Sequence, residues 1–269
     1  MFLCVKFHMK YICIIFVFVF LPSVYAQEVS YDSRKNHFII QNNLGEKTEY
    51  ETPFYILRSE KEYPKIVIDA CIHGDEVAGA FACDSVLKYL NVTEGTVVLI
   101  PRVNIKSFNQ GTREVNIDLN QVFPGNFKSE IYEERLAYDF MKLIEVLEPN
   151  VVINLHEAWT RFNESLYERQ KDKSFGQVII TNKDTFPVFL MNVLANINSQ
   201  VNDKENVFRI QYFPYKPNHS MDNIIEKLKT PSYTIETLRI LPLDERITYQ
   251  IISILAFIEE AGIKFTYDR

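Results

Sequence analysis

Three apolar segments of the chain end in residues that can bind a cation or carry a proton. Lys65 to Ile72 runs into His73-Gly74-Asp75-Glu76, Val151 to Leu155 runs into His156-Glu157, and Ser232 to Thr237 closes on Thr234-Ile235-Glu236-Thr237. His73 and Glu76 stand three residues apart across a predicted strand-to-helix turn. That spacing lets an imidazole and a carboxylate converge on one ion, and His156 arrives from a neighbouring strand. Two His and one Glu with an open fourth position form the ligand set of a catalytic zinc, which lowers the pKa of a bound water toward about 7. His-x-x-Glu alone has little specificity. The joint placement of three ligands at strand ends is what raises it. Glycine and histidine are scarce, 8 and 5 in 269 residues, yet Gly74, Gly79, Gly111 and Gly125 all fall between residues 74 and 125.

Such residues need a frame that brings distant strand ends together. Lys65 to Ile72, Thr96 to Val103, Val151 to Leu155, Gln177 to Thr181, Val207 to Tyr212 and Ser232 to Thr237 read as strands. Between them, Glu76 to Leu90, Glu130 to Leu147, Thr185 to Val201, Met221 to Leu228 and Leu243 to Ala261 read as helices. Strands alternating with helices predict an α/β layer fold with a largely parallel, buried sheet. Such sheets bind ligands at the carboxyl ends of their strands, where His73, His156 and Glu236 fall. Phe38 to Gln41 and Phe54 to Arg58 are further strands, expected at the edge, and the chain from Val103 to about Lys128 reads as a long polar connection. No linker, repeat or composition shift divides residues 27–269, which are expected to form one domain.

Residues 1–26 read as a secretory signal. Lys6 and Lys10 precede the apolar run Ile12 to Leu21, and Val24-Tyr25-Ala26 sets a cut before Gln27. That run is about half of the roughly 20 residues that span a bilayer, which favours cleavage over an anchor. The expectation is a secreted or periplasmic protein with no stable membrane insertion after cleavage. A net charge of −6 with no basic block argues against nucleic acid and anionic membrane surfaces as partners. Cys71 and Cys83 lie in apolar contexts and read as buried free thiols, with one bridge as the alternative. Asn91, Asn163 and Asn218 head N-x-S/T sites.

The stretch Pro101 to Gly125 carries the rest. It reads Pro-Arg-Val-Asn, then Gly111-Thr112-Arg113, then Asp118-Leu119-Asn120-Gln121-Val122-Phe123-Pro124-Gly125. With His73-Gly74-Asp75-Glu76 before it, the chain from about Lys65 to Arg239 resembles the zinc carboxypeptidase superfamily in its succinylglutamate desuccinylase/aspartoacylase branch. The resemblance implies an α/β fold, a three-layer α/β/α sandwich around a mixed, mostly parallel central sheet. It implies Zn2+ on His73, Glu76 and His156. Arg113 then matches the arginine that polarises the scissile carbonyl and holds the oxyanion. Glu236 matches the general base that takes a proton from water and passes it to the leaving amine. Asn120 falls where a substrate carboxylate is bound. Tyr215, or by spacing Tyr212, falls where a phenol reaches substrate, and Ser220, Met221 and Asp222 align with the lining of the specificity pocket. A fixed cation at an oxyanion is worth about 3 kcal/mol, and a placed acid–base group about 100- to 10,000-fold in rate.

One position departs from the family pattern. Gln121 stands where the family has an arginine that grips the substrate carboxylate, and an amide has neither its charge nor its fork geometry. Either the substrate lacks a free carboxylate there, or another cation, Arg161 or Arg239, takes over. The short stretch after Glu236 leaves no room for the family's C-terminal β-domain, so the catalytic domain alone, with a more open site, is expected. Trp159, just after the third ligand, reads as core with a pocket wall as the alternative, Glu157 as either a ligand-orienting or a solvated carboxylate, and Asp69 as a hydrogen-bonded structural group. His219 reads as a loop residue, and His37 falls outside the motifs. The sequence thus points to an exported zinc-dependent hydrolase of amide bonds, a deacylase or carboxypeptidase-like enzyme acting on a small molecule or peptide. A non-catalytic zinc- or ligand-binding module on the same fold is the alternative, and retention of the three ligands, Arg113 and Glu236 argues against it.

Overall fold

The computed structural model describes residues 28–32, 37–160, 176–213 and 220–268. The signal segment 1–26, Arg161, Asn163, Tyr215, Asn218 and His219 lie outside the described residues. In chain order the strands are β1 (Glu28–Asp32), β2 (His37–Leu44), β3 (Thr52–Arg58), β4 (Lys65–Ala70), β5 (Leu90–Glu94), β6 (Thr96–Ile100), β7 (Val151–Ala158), β8 (Val178–Thr181), β9 (Arg209–Tyr212), β10 (Ser232–Leu238) and β11 (Lys264–Tyr267). The helices are α1 (Ala78–Tyr89), α2 (Ile105–Gln110), α3 (Tyr132–Leu147), α4 (Val188–Ser199), α5 (Met221–Lys227) and α6 (Leu243–Glu260).

Nine strands form one sheet in the order β1-β2-β3-β6-β4-β7-β10-β8-β9. Its centre, β6-β4-β7-β10, is parallel, while β1, β2, β3 and β6 meet antiparallel, as do β10 and β8. The central strands are apolar on both faces because both faces are covered. Ile66, Ile68, Leu99, Ile153 and Ile235 join a core with residues of α1, α4 and α6. Val67, Val98, Ile100 and Val152 join a second core with α3 and α5. Helices on both faces of a mixed sheet make the expected three-layer sandwich. Among the described residues, no helix is long and apolar enough to cross a membrane.

The α3/α5 face also carries a buried polar row. Asp69 of β4, Asn154 of β7 and Thr234 of β10 are in register across the three strands, and Asp222 of α5 accepts hydrogen bonds from the Ser232 and Thr234 hydroxyls. Asp69 is fully buried, and neither carboxylate oxygen has a hydrogen-bond partner among the described residues, which differs from the expected hydrogen-bonded group. Burial, reinforced by Asp222, pushes its carboxyl well above the usual range.

Other differences have local causes. The polar connection holds α2 and a 3-10 turn at Leu119–Gln121. The two N-terminal strands lie toward one side of the sheet, but β1 lies outside them. Leu90, read as helix, begins β5 and pairs with β11 in a separate two-stranded sheet; helical spacing says nothing about a partner near the other end of the chain. Cys71 and Cys83 are buried and free, and His37 is buried against Asn91, Nδ1 to Oδ1 2.6 Å.

Candidate metal centre and active site

After β4 the chain turns sharply at Cys71, whose φ is 56°. The turn is fixed by Asn104 N–H, which donates to the Cys71 carbonyl at 3.0 Å. Gly74 is required for contact more than for conformation: a Cβ there would lie 2.1 Å from the backbone of Ser107 and Phe108. Its N–H donates to the Arg113 carbonyl at 3.2 Å, joining the ligand loop to the loop that carries Arg113. The first turn of α1 follows with no side-chain cap from Val77. Glu157 supplies one from β7, its Oε2 accepting from Ala78 N–H at 3.1 Å.

This framework gathers His73, Glu76 and His156 into a buried cluster whose potential ligand atoms lie within 4.8 Å of one another. His73 Nδ1 is 2.8 Å from Glu76 Oε1, and His156 Nδ1 is 2.7 Å from Glu76 Oε2. Burial disfavours a charged His73 ring, but Glu76 and Asp118 outweigh it and raise the pKa to about 9. Burial likewise opposes ionisation of Glu76, and the two imidazoles overcome it, holding its carboxyl well below the ordinary range. His73 Nε2 lies 3.2 Å from Asp118 Oδ1, so that carboxylate fixes the ring with Nδ1 turned inward. Two imidazole nitrogens and a carboxylate, dry and convergent, fit a zinc ion, which would take the place of the imidazole protons.

Glu236 is the cross-strand partner of His156 on parallel strands, so the two side chains leave the same face at adjacent strand ends. Removal from bulk water and the charge of Glu76 push the Glu236 carboxyl well above the usual range. Its backbone carbonyl accepts from Gln177 N–H at 2.8 Å. Gln250, fully buried on α6, donates to the His156 carbonyl at 2.9 Å and to Thr237 Oγ1 at 3.0 Å, clamping the two strand ends together. Arg113 reaches the same place: Nη1 donates to Glu76 Oε1 at 3.2 Å and Nη2 to Asp118 Oδ2 at 3.1 Å. The Arg113–Asp118 loop is itself held by buried Glu133, which accepts from Asn116 N–H at 2.8 Å and Asn116 Nδ2 at 3.0 Å.

The structure therefore brings His73, Glu76, His156, Glu236 and Arg113 together. Asn120 lies beside them and plays a structural part, its Oδ1 accepting from Met221 N–H at the start of α5 at 3.0 Å. The Met221 side chain is fully buried in the second core, so that residue meets Asn120 through its amide and not as a pocket wall. Gln121 is exposed, and Tyr215 lies outside the described residues. Arg239 is already engaged, donating to Asp75 Oδ2 at 2.8 Å and to the Asp75 carbonyl at 2.6 Å. Trp159 is 62% exposed and not core, because β7 stops one residue before it. Glu157 is buried between Ala78 and Arg246, so the solvated reading fails. Sequence reasoning passed over Asp118, Glu133 and Gln250. Asp118 stood inside a quoted motif, and Gln250 interrupts an apolar helix face; nothing local marked Glu133.

Residues 62–175 match the family described as succinylglutamate desuccinylase/aspartoacylase catalytic domain. No curated protein sequence matches the chain. Among solved structures, tripeptide-bound cell shape determinant Csd4 of Helicobacter pylori is 21% identical over 77% of this chain and 53% of its own, with a TM-score of 0.69. A succinylglutamate desuccinylase/aspartoacylase of Rhodobacter sphaeroides is 15% identical over 88% of this chain and 69% of its own, with a TM-score of 0.62. Product-bound ectoine utilization protein EutE (DoeB) of Ruegeria pomeroyi is 15% identical over 91% and 74%, with a TM-score of 0.65. At these identities the likeness is one of fold, and the chain spans about half the length of the Csd4 structure.

Proposed function

We propose that the chain, whose residues 62–175 match the succinylglutamate desuccinylase/aspartoacylase catalytic domain, is an exported, zinc-dependent hydrolase of an amide bond, with residues 27–269 as one catalytic domain. The observation that carries this reading is the buried His73–Glu76–His156 cluster with Glu236 and Arg113 beside it. Zinc on those three residues would polarise the substrate carbonyl and acidify a water. Glu236 accepts the water's proton and delivers it to the departing amine; burial and the charge of Glu76 raise its pKa, which makes it a better proton acceptor than an ordinary carboxylate. Arg113, steadied by Asp118, donates to the carbonyl oxygen as charge develops there. Asn120 sets the start of α5 against this loop and so shapes the substrate's binding wall.

An exported peptide-like substrate is supported by the N-terminal signal pattern and by the fold's likeness to Csd4, described as a D,L-carboxypeptidase. Gln121 is neutral and Arg239 is committed to Asp75, which leaves at that position either a substrate group that is not a free carboxylate or a carboxylate met by Arg161. The decisive variant is Glu236→Gln. Assayed on a panel of N-acyl amino acids and peptides, it is expected to keep stoichiometric zinc and lose about 100- to 10,000-fold in kcat. Turnover equal to the unmodified protein would refute the mechanism. Zinc binding with no hydrolysis by the unmodified chain would favour the binding-module alternative.

A further inference from the structure

The three segments that carry the cluster meet again at the rim. Trp159 follows β7, Arg239 follows β10, and Arg239 N–H donates to the Ala158 carbonyl at 2.7 Å, so their side chains leave adjoining strand ends. The Arg239 guanidinium lies 4.2 Å from the centre of the Trp159 ring. Its two hydrogen bonds to Asp75, between His73 and Glu76, hold it there. The indole is thus backed by a fixed cation and still 62% exposed. It is also the chain's single tryptophan. A rigid aromatic with one supported face and open surface beyond is built to receive a flat apolar partner.

We propose that Trp159 is a stacking platform for a flat apolar group of the substrate, either an aromatic ring or the C–H face of a sugar, carried about 10 Å along the chain direction from His156. The proposal rests on the hydrolase reading above. The distance follows from position: Trp159 lies three residues beyond His156, and a strand advances about 3.3 Å per residue. A bare N-acyl amino acid does not reach so far, whereas an extended chain of about three residues does. Asp75 belongs to the turn into α1, on one face of the sheet, and Asn120 contacts the start of α5 on the other. A substrate that touches both therefore lies across the cluster.

The zinc-loaded full chain can be titrated with acetyl-Gly-Gly-Ala, benzoyl-Gly-Gly-Ala and the same tripeptide carrying an N-terminal glucosaminyl group, following Trp159 fluorescence and calorimetry. One capped peptide is expected to bind about tenfold tighter than the acetyl peptide and to shift the emission; which cap does so identifies the source of the flat face. By calorimetry, Trp159→Ala is expected to reduce that preference to about one, and Trp159→Phe to retain part of it. Zinc content and melting of each variant check folding. Equal affinity for all three peptides, or a preference that survives Trp159→Ala, overturns the platform. Release of free amine from the acetyl peptide is scored separately, so loss of hydrolysis with an intact binding preference refutes the hydrolase reading and leaves the platform standing.

Discussion

Glu76 and Glu236 face the same cluster, yet their surroundings drive them in opposite directions. Glu76 is ionised because two imidazoles point at it, whereas Glu236 meets chiefly desolvation and the charge of Glu76. Such divergence of two neighbouring carboxyls is what the proposed division between a ligand, Glu76, and a proton carrier, Glu236, requires. Asp69 shows desolvation without chemistry. Its native pKa lies well above the unfolded value, so between the two the folded state holds a proton that the unfolded state has released. Stability is therefore greatest below about pH 4 as far as this group is concerned, and falls as pH rises, with a limiting slope of about 1.4 kcal/mol per unit. Asp69→Asn removes that slope, and its amide can donate toward the unpartnered Asn154 oxygen. The variant is expected to be the more stable protein at pH 7, with the advantage shrinking toward pH 4. Urea midpoints across that range check it, and a parallel pair of curves would show that Asp69 does not hold its proton on folding.

At the level of elements, the site is assembled by contacts that reach between them. Glu157 of β7 caps α1, Asn120 caps α5, and Glu133 at the start of α3 clamps the Arg113–Asp118 loop. The strand ends were legible in the sequence because apolar runs broke at His73, His156 and Glu236, and such ends are where parallel sheets bind ligands. These ties were not. No short-range signal says that a buried Glu133 is spoken for by Asn116, or that Trp159 falls just past the end of its strand. Glu133→Ala is expected to loosen the loop, lowering kcat about 10- to 100-fold by misplacing Arg113 and weakening the support of His73 by Asp118. Glu133→Gln, which keeps one acceptor, should recover part of that loss. Hydrogen exchange at Asn116 is the direct measurement: unchanged protection in Glu133→Ala would show that the loop is held by something else.

Across the whole molecule, the cluster joins parts of the chain that meet only through the sheet. β4, β7 and β10 are neighbours in space and far apart in sequence, so alternation of strands and helices predicted the layer class while leaving the strand order, the β5–β11 pair and the outer β1 open. The same separation would make a bound metal a cross-link between the β4–α1 turn and β7. An ion that binds only the folded chain adds about 4 kcal/mol at a thousandfold excess over its Kd. For a chain of this size each kcal/mol moves Tm by roughly 2–4 °C. Chelation is therefore expected to lower the melting temperature by about 10 °C, and zinc, more than magnesium, to restore it because the donors include two imidazole nitrogens. His156→Ala should melt near the chelated protein and gain little from zinc. Identical melts for the loaded and chelated protein would mean that the three side chains converge without holding an ion, and the hydrolytic reading would fall with them.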